Sequence, residues 1–288
     1  MISNQLREAL AAPRVREFDF GNEDFEALRQ LVKRLTGINL SDQKRELVYG
    51  RLARRLRVLH LRTFAEYRDL LASDGGREIG EFCNAITTNL TSFFRESHHF
   101  EYLREQVLQP MVANRTASHR VRIWSAGCST GEEAYSLAMT VIESIPDLRT
   151  WDVKILATDL DSDVLAKAQR GIYAAERVRA IGAQRLSRFF AERRGREGAT
   201  YEVKPELTSL ITFKQLNLMH PLPMKGPLDA IFCRNVVIYF DKDTQRELFS
   251  RVAQLQRPGH LLFLGHSESL FKVSESYTPI GKTVYRRS

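Results

Sequence analysis

The chain has 288 residues, 43% of them hydrophobic, which is enough for a sizeable core in one large domain or two. No apolar run reaches membrane-spanning length, the opening Met1–Arg7 lacks the apolar stretch of a secretory leader, and Cys83, Cys128 and Cys233 stand too far apart for a disulfide frame or a metal-ligand spacing, so a cytoplasmic protein without a metal or membrane insertion is expected. The formal net charge of +8 raises nucleic acid, acidic membrane and acidic protein as partners without choosing among them.

Residues 22–36 are predicted to form a helix with Phe25, Leu28, Leu31, Val32 and Leu35 on one face and Gly37 as its stop. Ser41 or Asp42 caps a second helix, over about 42–60, whose apolar side is Val48, Leu52, Leu56 and Leu59. Lys44, Arg51, Arg55 and Arg62 recur along it at spacings of seven, four and seven, and form one stripe if the helix reaches Arg62. Arg54 and Arg57 widen this basic surface. Most charge runs are solvated faces. A solvated face normally mixes signs, however, and from 44 to 62 seven Lys or Arg stand against Glu46 alone, so docking of an acidic partner is expected. Thr63-Phe64-Ala65-Glu66 is a capping-box pattern that opens a third helix through Ala72. Asp74-Gly75-Gly76 breaks it, and a fourth helix comes next over about Glu78–Ile86, so residues 1–88 read as an all-helical domain.

The segment 89–119 reads as a linker and a helix. Its opening, Thr87 to Glu96, is poor helix material with paired aromatics. It is either a linker with two buried phenylalanines or a segment folded over a ligand, with Asn89, Thr91 and Arg95 as its polar reach.

Residues 120–288 read as an open α/β sheet. Val121, Ile123 and Trp124 are β-prone, Gly127-x-Ser129-x-Gly131 is a tight turn, and a helical pattern starts at Glu132. Strand, glycine turn and helix form the ligand crevice of such sheets, and Gly127 lets the backbone approach a ligand closely. Glu132 and Glu133 at the helix mouth suit the helix dipole and would repel a pyrophosphate. They suit a cationic ligand with a ribose diol, such as S-adenosylmethionine; the alternative is an ordinary βα turn. A second strand ends at Asp159, placed to accept ribose hydroxyls, while Asp161 or Ser162 can cap the next helix. Residues 173–191 look helical. A small antiparallel β insertion is expected over about 192–212, with strands near Ala199–Val203 and Leu210–Phe213. Further strands cover 229–233 and 260–264, and 278–285 looks like an antiparallel pair. Parallel units finished by a hairpin are typical of the methyltransferase form of the open sheet.

Long stretches now converge: Thr88-Asn89-Leu90-Thr91-Ser92-Phe93-Phe94-Arg95, Ser129-Thr130-Gly131-Glu132-Glu133, Ala157-Thr158-Asp159-Leu160-Asp161 and Phe232-Cys233-Arg234-Asn235-Val236-Val237-Ile238-Tyr239-Phe240, with Lys44-Arg45-Glu46 and Gly265-His266-Ser267-Glu268 beside them. From about residue 22 to its end the chain resembles the CheR-type chemotaxis receptor methyltransferases. The resemblance implies transfer of a methyl group from S-adenosylmethionine to γ-carboxylates of glutamates on bacterial chemoreceptor helices, leaving S-adenosylhomocysteine, in support of chemotactic adaptation. It implies that Asn89, Thr91, Arg95, Glu133, Asp159, Asn217, Leu218, Arg234 and Asn235 line the cofactor site. It also implies an all-helical N-terminal domain and a β insertion that in some members grips a receptor C-terminal peptide. For the chemistry, Arg95 and Tyr239 are expected to orient the substrate carboxylate, which is ionised at neutral pH and needs no general base. Two other readings compete. A nucleic-acid amino-methyltransferase is expected to carry an Asp/Asn-Pro-Pro-aromatic loop, and Arg234-Asn235-Val236-Val237 has no proline. A cofactor-free binding module would not need the acidic, glycine and aromatic groups.

Overall fold

A computed structural model describes residues 16–73, 76–114, 119–195 and 198–288. The Asp74–Gly75 break, the Met1–Arg7 opening and the Arg196–Glu197 part of the expected polar turn lie outside the described residues. The chain divides into two compact units. The first holds the residues up to Leu31 together with Leu40–Ile86, and the second holds Val32–Asn39 and Thr87–Ser288.

In the first unit, α1 (Asn22–Thr36) carries Glu23 and Asp24 in its first turn, where the helix dipole favours them. Asp24 Oδ2 accepts the Gly21 N–H at 3.1 Å. A short 3₁₀ turn, Asp42–Lys44, leads into α2 (Arg45–Leu59). The left-handed residue that stops α2 is His60 (φ 56°), not a glycine. The helix therefore ends before Arg62, and the expected four-residue stripe is cut short. α3 (Phe64–Ser73) starts on the anticipated box, with Thr63 Oγ1 accepting the Glu66 N–H at 3.1 Å. Glu66 reaches one residue further back than the usual box and accepts the Arg62 N–H at 2.7 Å. α4 (Arg77–Ile86) closes the unit. Val48, Leu52, Leu56, Phe64, Tyr67 and Phe82 are buried, with Phe20 and Phe64 rings 4.4 Å apart.

In the second unit, α5 (His98–Leu103) runs through a π turn, Arg104–Leu108, into α6 (Gln109–Ala113). Then come β1 (Arg120–Ala126), α7 (Glu132–Ser144), β2 (Asp152–Asp159) and α8 (Ser162–Arg170). The span expected to be one helix over 173–191 is instead β3 (Ile172–Ala174), α9 (Ala175–Val178), a 3₁₀ turn, and α10 (Ala183–Phe189), interrupted by Gly182 at φ 84°. The next elements are β4 (Phe190–Gly195), β5 (Gly198–Val203), α11 (Pro205–Thr208), β6 (Ile211–Gln215), β7 (Ala230–Cys233), α12 (Lys242–Ala253), β8 (Leu261–Leu264), β9 (Tyr277–Gly281) and β10 (Val284–Arg287).

Seven strands form one sheet in the order β6-β2-β1-β7-β8-β10-β9, parallel from β6 to β8 and antiparallel at β10 and β9. Alternation along β1 sends Val121 and Ile123 to one core with Leu137 and Val141 of α7, and Trp124 and Ala126 to a second with Leu248, Phe249 and Val252 of α12. Strand order reverses beside β1, which puts the crevice at its carboxyl end. The small antiparallel sheet is β3-β5-β4. This corrects the expected 192–212 insertion at both ends. It begins with β3, and Ile211–Gln215 leaves it to pair in parallel with Ile155–Asp159 of the main sheet. An alternating run identifies a strand but not the sheet it joins.

The second unit also includes a strap, residues 32–39, made from the last turn of α1 and the three residues after it. Gly37 (φ 74°) presses on Met219, where a Cβ would lie 2.3 Å from the sulfur. Ile38 forms an antiparallel bridge to Phe240, and the Asn39 N–H donates to the Tyr239 carbonyl at 2.7 Å. Among the described residues no helix is long and apolar enough to cross a membrane.

Candidate active site

The carboxyl ends of β1, β2 and β7 open on a cleft of about 950 Å³, open solvent included. β1 gives way to Gly127 (φ 88°), Ser129 (φ 50°) and Gly131 (φ 94°). A Cβ on Gly127 would lie 2.3 Å from Val236 Cγ2, so only glycine fits there. Asp159 closes β2. Its Oδ2 accepts the Ser129 N–H at 2.7 Å and its Oδ1 the Asp161 N–H at 3.0 Å, which ties the glycine turn to the end of the second strand. Burial pushes its carboxyl up, and the Asp161 and Ser129 N–H groups oppose that. The capping of α8 falls to Asp161, whose Oδ1 accepts from Asp163 and Val164.

The two carboxylates at the mouth of α7 part company. Glu132 turns away to Thr130 and an ion pair with Arg177. Glu133 faces the cleft, accepting from Ser125 Oγ at 2.7 Å and from Arg234 at 3.1 Å. Burial raises its carboxyl, and Arg234 pulls the other way.

The Thr87–Glu96 segment folds over the cleft. Asp161 Oδ2 accepts from Thr87 Oγ1 and Asn89 Nδ2, both at 2.7 Å, and Ser129 Oγ donates to the Asn89 carbonyl. Phe93 anchors the segment below, 5.0 Å from Tyr173 and 5.7 Å from Phe190. Of the two phenylalanines, Phe93 is core and Phe94 half-buried, while Asn89, Thr91 and Arg95 line the cleft.

Arg234 comes directly after β7 with its side chain 1% exposed. It bridges Glu133 and Glu96, at 3.1 and 3.2 Å, and donates to the Arg95 carbonyl. A buried guanidinium needs such partners. Glu96 is the partner that sequence reasoning missed, although it closes the Thr87–Glu96 segment; nothing in the sequence marked it as the partner of Arg234. Burial works to raise the Glu96 carboxyl, but the His266 hydrogen bond and Arg234 hold it down at about 2. His99, wholly buried behind it, is lowered to about 4 by burial and by Arg234. The Arg95 side chain makes one hydrogen bond, to the Leu90 carbonyl at 2.8 Å, and has no ion pair among the described residues.

All eleven residues expected in the site line this one cleft: Asn89, Thr91, Arg95, Gly127, Glu133, Asp159, Asn217, Leu218, Arg234, Asn235 and Tyr239. Asn217 does so with its amide occupied, since Nδ2 donates to the Leu35 carbonyl at 2.6 Å and Oδ1 accepts the Met219 N–H. Thr36 and Ile38 of the strap line it too, and nothing in their sequence announced that. The expected docking residues are in the first unit and do not act as one set. Arg51 donates to the Ile86 carbonyl at the end of α4. Arg55, its side chain 19% exposed, is locked in ion pairs with Glu78 at 2.6 Å and Glu81 at 3.0 Å. The stripe is corrected accordingly: Lys44, Arg54 and Arg62 remain exposed.

The cleft's donor set fits S-adenosylmethionine. The carboxylates of Glu133 and Asp159 suit a sulfonium, an ammonium and a diol, and Gly127 lets the backbone approach closely. Residues 89–286 match the family described as "CheR methyltransferase, SAM binding domain", and residues 23–87 match "CheR methyltransferase, all-alpha domain". The chain is 45% identical to a Pseudomonas aeruginosa protein named chemotaxis protein methyltransferase 2, over 93% of this chain and 94% of that one. It is 43% identical to the Escherichia coli chemotaxis protein methyltransferase, over 92% and 90%, and 36% identical to that of Borreliella burgdorferi, over 86% and 88%. The chain therefore belongs to the CheR methyltransferase family and is an S-adenosylmethionine-dependent methyltransferase.

Proposed function

We propose that the enzyme esterifies the γ-carboxylates of specific glutamates on the cytoplasmic helices of bacterial chemoreceptors, working in the cytoplasm in chemotactic adaptation. One observation carries the substrate class. Of the two arginines lining the cleft, Arg234 is neutralised by two glutamates, whereas Arg95 keeps most of its donors free of protein carboxylates. A half-buried cation of this kind selects an incoming carboxylate. The names of the relatives support the chemotaxis setting.

S-adenosylmethionine supplies an electrophilic methyl group on a sulfonium. The residues of this chain then have three tasks. Arg95 and Tyr239 hold the substrate carboxylate in line. Glu133 and Asp159 hold the cofactor's polar groups. The Thr87–Glu96 segment keeps water from the reacting atoms. A glutamate is already ionised at neutral pH, so no base is needed, and alignment with desolvation supplies the acceleration.

For recognition we assign the exposed basic surface around α2, now Lys44, Arg54 and Arg62, with the exposed Leu47 and Val58 beside Arg54, to an acidic receptor helix. The exposed edge strand β4 is assigned to an extended receptor C-terminal peptide, where a receptor carries one. The deciding experiment is methyl transfer from radiolabelled cofactor into receptor-bearing membranes. Label on receptor protein, released by mild base, is expected. Base-stable label, or label on nucleic acid, overturns the proposal.

A further inference from the structure

The wall of the cleft formed by Arg234, Asn235, Val236, Tyr239 and Phe240 is irregular backbone. Asn235 is left-handed (φ 58°), an uncommon state for a non-glycine residue. The 3₁₀ turn beyond it, Val237–Tyr239, has no side-chain cap from the residue that precedes it, Val236. Its free N–H groups are met from elsewhere. Glu268, 5% exposed and outside the cleft lining, accepts five backbone N–H groups. Oε2 takes Asn235 at 2.8 Å and Gly265 at 2.6 Å. Oε1 takes Val236 and Val237 at 2.9 Å and Ile238 at 3.2 Å. The glycine three residues before it is fitted to the same task, because a Cβ on Gly265 would lie 2.3 Å from Asn235 Nδ2 and 2.9 Å from its backbone nitrogen.

We propose that Glu268 is a positioning residue for methyl transfer: its carboxylate gathers the backbone of 235–238 and so sets where Asn235 and Tyr239 stand in the cleft. The proposal rests on that cleft being the cofactor site. The number of donors decides the chemistry. Five N–H groups converging on two oxygens require an acceptor-only side chain. Glutamine has the same shape but must turn an NH₂ toward two or three of those donors, leaving them unsatisfied in a buried place.

The test is Glu268→Gln, with calorimetric titration by S-adenosylmethionine and steady-state receptor methylation. Expected is a cofactor Kd raised about tenfold or more at near-unit stoichiometry, and a lowered kcat, with the receptor KM moved by less than about twofold. A merely structural role gives another signature. Partial unfolding lowers the stoichiometry and leaves the Kd of the folded fraction unchanged, and that result overturns the proposal, as does a fully folded variant with Kd and kcat within about twofold of the parent. If Glu268→Gln is too unstable to assay, Gly265→Ala carries the test, since it presses on Asn235 while keeping the carboxylate. A raised Kd is expected there, and an unchanged Kd overturns the proposal equally. Asp159→Ala, titrated alongside, separates the two readings. If it weakens binding and the Glu268 and Gly265 variants do not, only the positioning role fails; if Asp159→Ala also binds normally, the cofactor-site reading fails with it.

Discussion

Asp159 carries two loads at once. Both of its oxygens already hold backbone N–H groups, and the same carboxylate lines the cleft. Asp159→Ala is therefore expected to weaken cofactor binding about ten- to a hundredfold, because a hydrogen bond to a charged group is worth roughly 1.5–3 kcal/mol. It should also lower stability, by roughly 1–3 kcal/mol for each of the two N–H groups left without an acceptor. Calorimetry and denaturant melts measure the two losses separately, and an unchanged affinity in a folded variant would remove Asp159 from the cofactor account. Arg95→Ala should behave differently. Its side chain has one protein hydrogen bond, exposed, to the Leu90 carbonyl, so stability should change by less than about 1 kcal/mol. Its kcat should fall at least about tenfold if it orients the substrate carboxylate. Normal turnover at saturating cofactor and receptor would sink that role. These residues were legible because each stood in a long motif, Asp159 at the end of a β-prone run and Arg95 in the polar, aromatic segment that follows the helical domain. Glu96 and Glu268 were harder to see. Their partners, Arg234 and the 235–238 backbone, are brought to them only by the sheet order.

The basic helix shows what periodicity can and cannot deliver at the level of an element. Spacing placed Lys44, Arg51, Arg55 and Arg62 on one stripe, yet the partners of Arg55 are on α4 and the stop is a left-handed His60. Neither can be read from a heptad. The correction changes the experiment. Arg55→Glu would set a third carboxylate against Glu78 and Glu81 and remove the cation beside the buried Glu78, so loss of receptor methylation there would report lost stability. The informative reversals are Arg54→Glu and Arg62→Glu. Exposed pairs are worth about 0–1 kcal/mol each, so the double variant should raise the receptor KM several-fold and flatten its dependence on salt, with cofactor Kd unchanged. Receptor kinetics unaltered at low ionic strength would take this surface out of the recognition account. The β3-β5-β4 sheet is the parallel case among strands. Its existence was legible, while its membership was not, because Ile172–Ala174 is too short to show a period and Ile211–Gln215 alternates as well for one sheet as for another.

For the molecule as a whole, the buried group around Arg234 contributes two protonation shifts to the response to acid. The folded His99 titrates at about 4, below the ordinary 6.5, so the unfolded chain takes up the proton first. Stability should fall as pH drops from 6.5 toward 4 and then level off, by at most about 3 kcal/mol at 1.36 kcal/mol per unit. The folded Glu96 titrates at about 2 instead of 4.5, so its contribution is present above pH 4.5 and is lost as pH falls toward 2, by a similar amount. The two windows lie end to end, and the two groups are coupled, since His99 and Glu96 stand 3.6 Å apart beside Arg234. Urea denaturation across pH 7 to 4 tests the first window: His99→Gln should flatten the slope there, and an identical slope would contradict it. The parallel sheet with its terminal hairpin could be anticipated, since near-continuous apolar runs alternating with helical patterns admit little else.

The strap of residues 32–39 has a consequence for inheritance. Its Leu35 carbonyl holds Asn217, its Asn39 holds the Tyr239 carbonyl, and its Lys33 pairs with Asp241 at 2.8 Å. Yet these residues belong to the stretch that matches the all-alpha family domain, not to the stretch matching the cofactor-binding one. A gene fragment cut at the boundary between the two matches would encode a methyltransferase fold missing one wall of its own cleft. Recombination between relatives at that seam would seat one parent's strap against the other parent's Met219 and Asn217, where Gly37 leaves no room for error. Selection should therefore pass the two domains on as a pair, and chimeras that carry residues 32–39 along with the sheet should outlive those divided at residue 88.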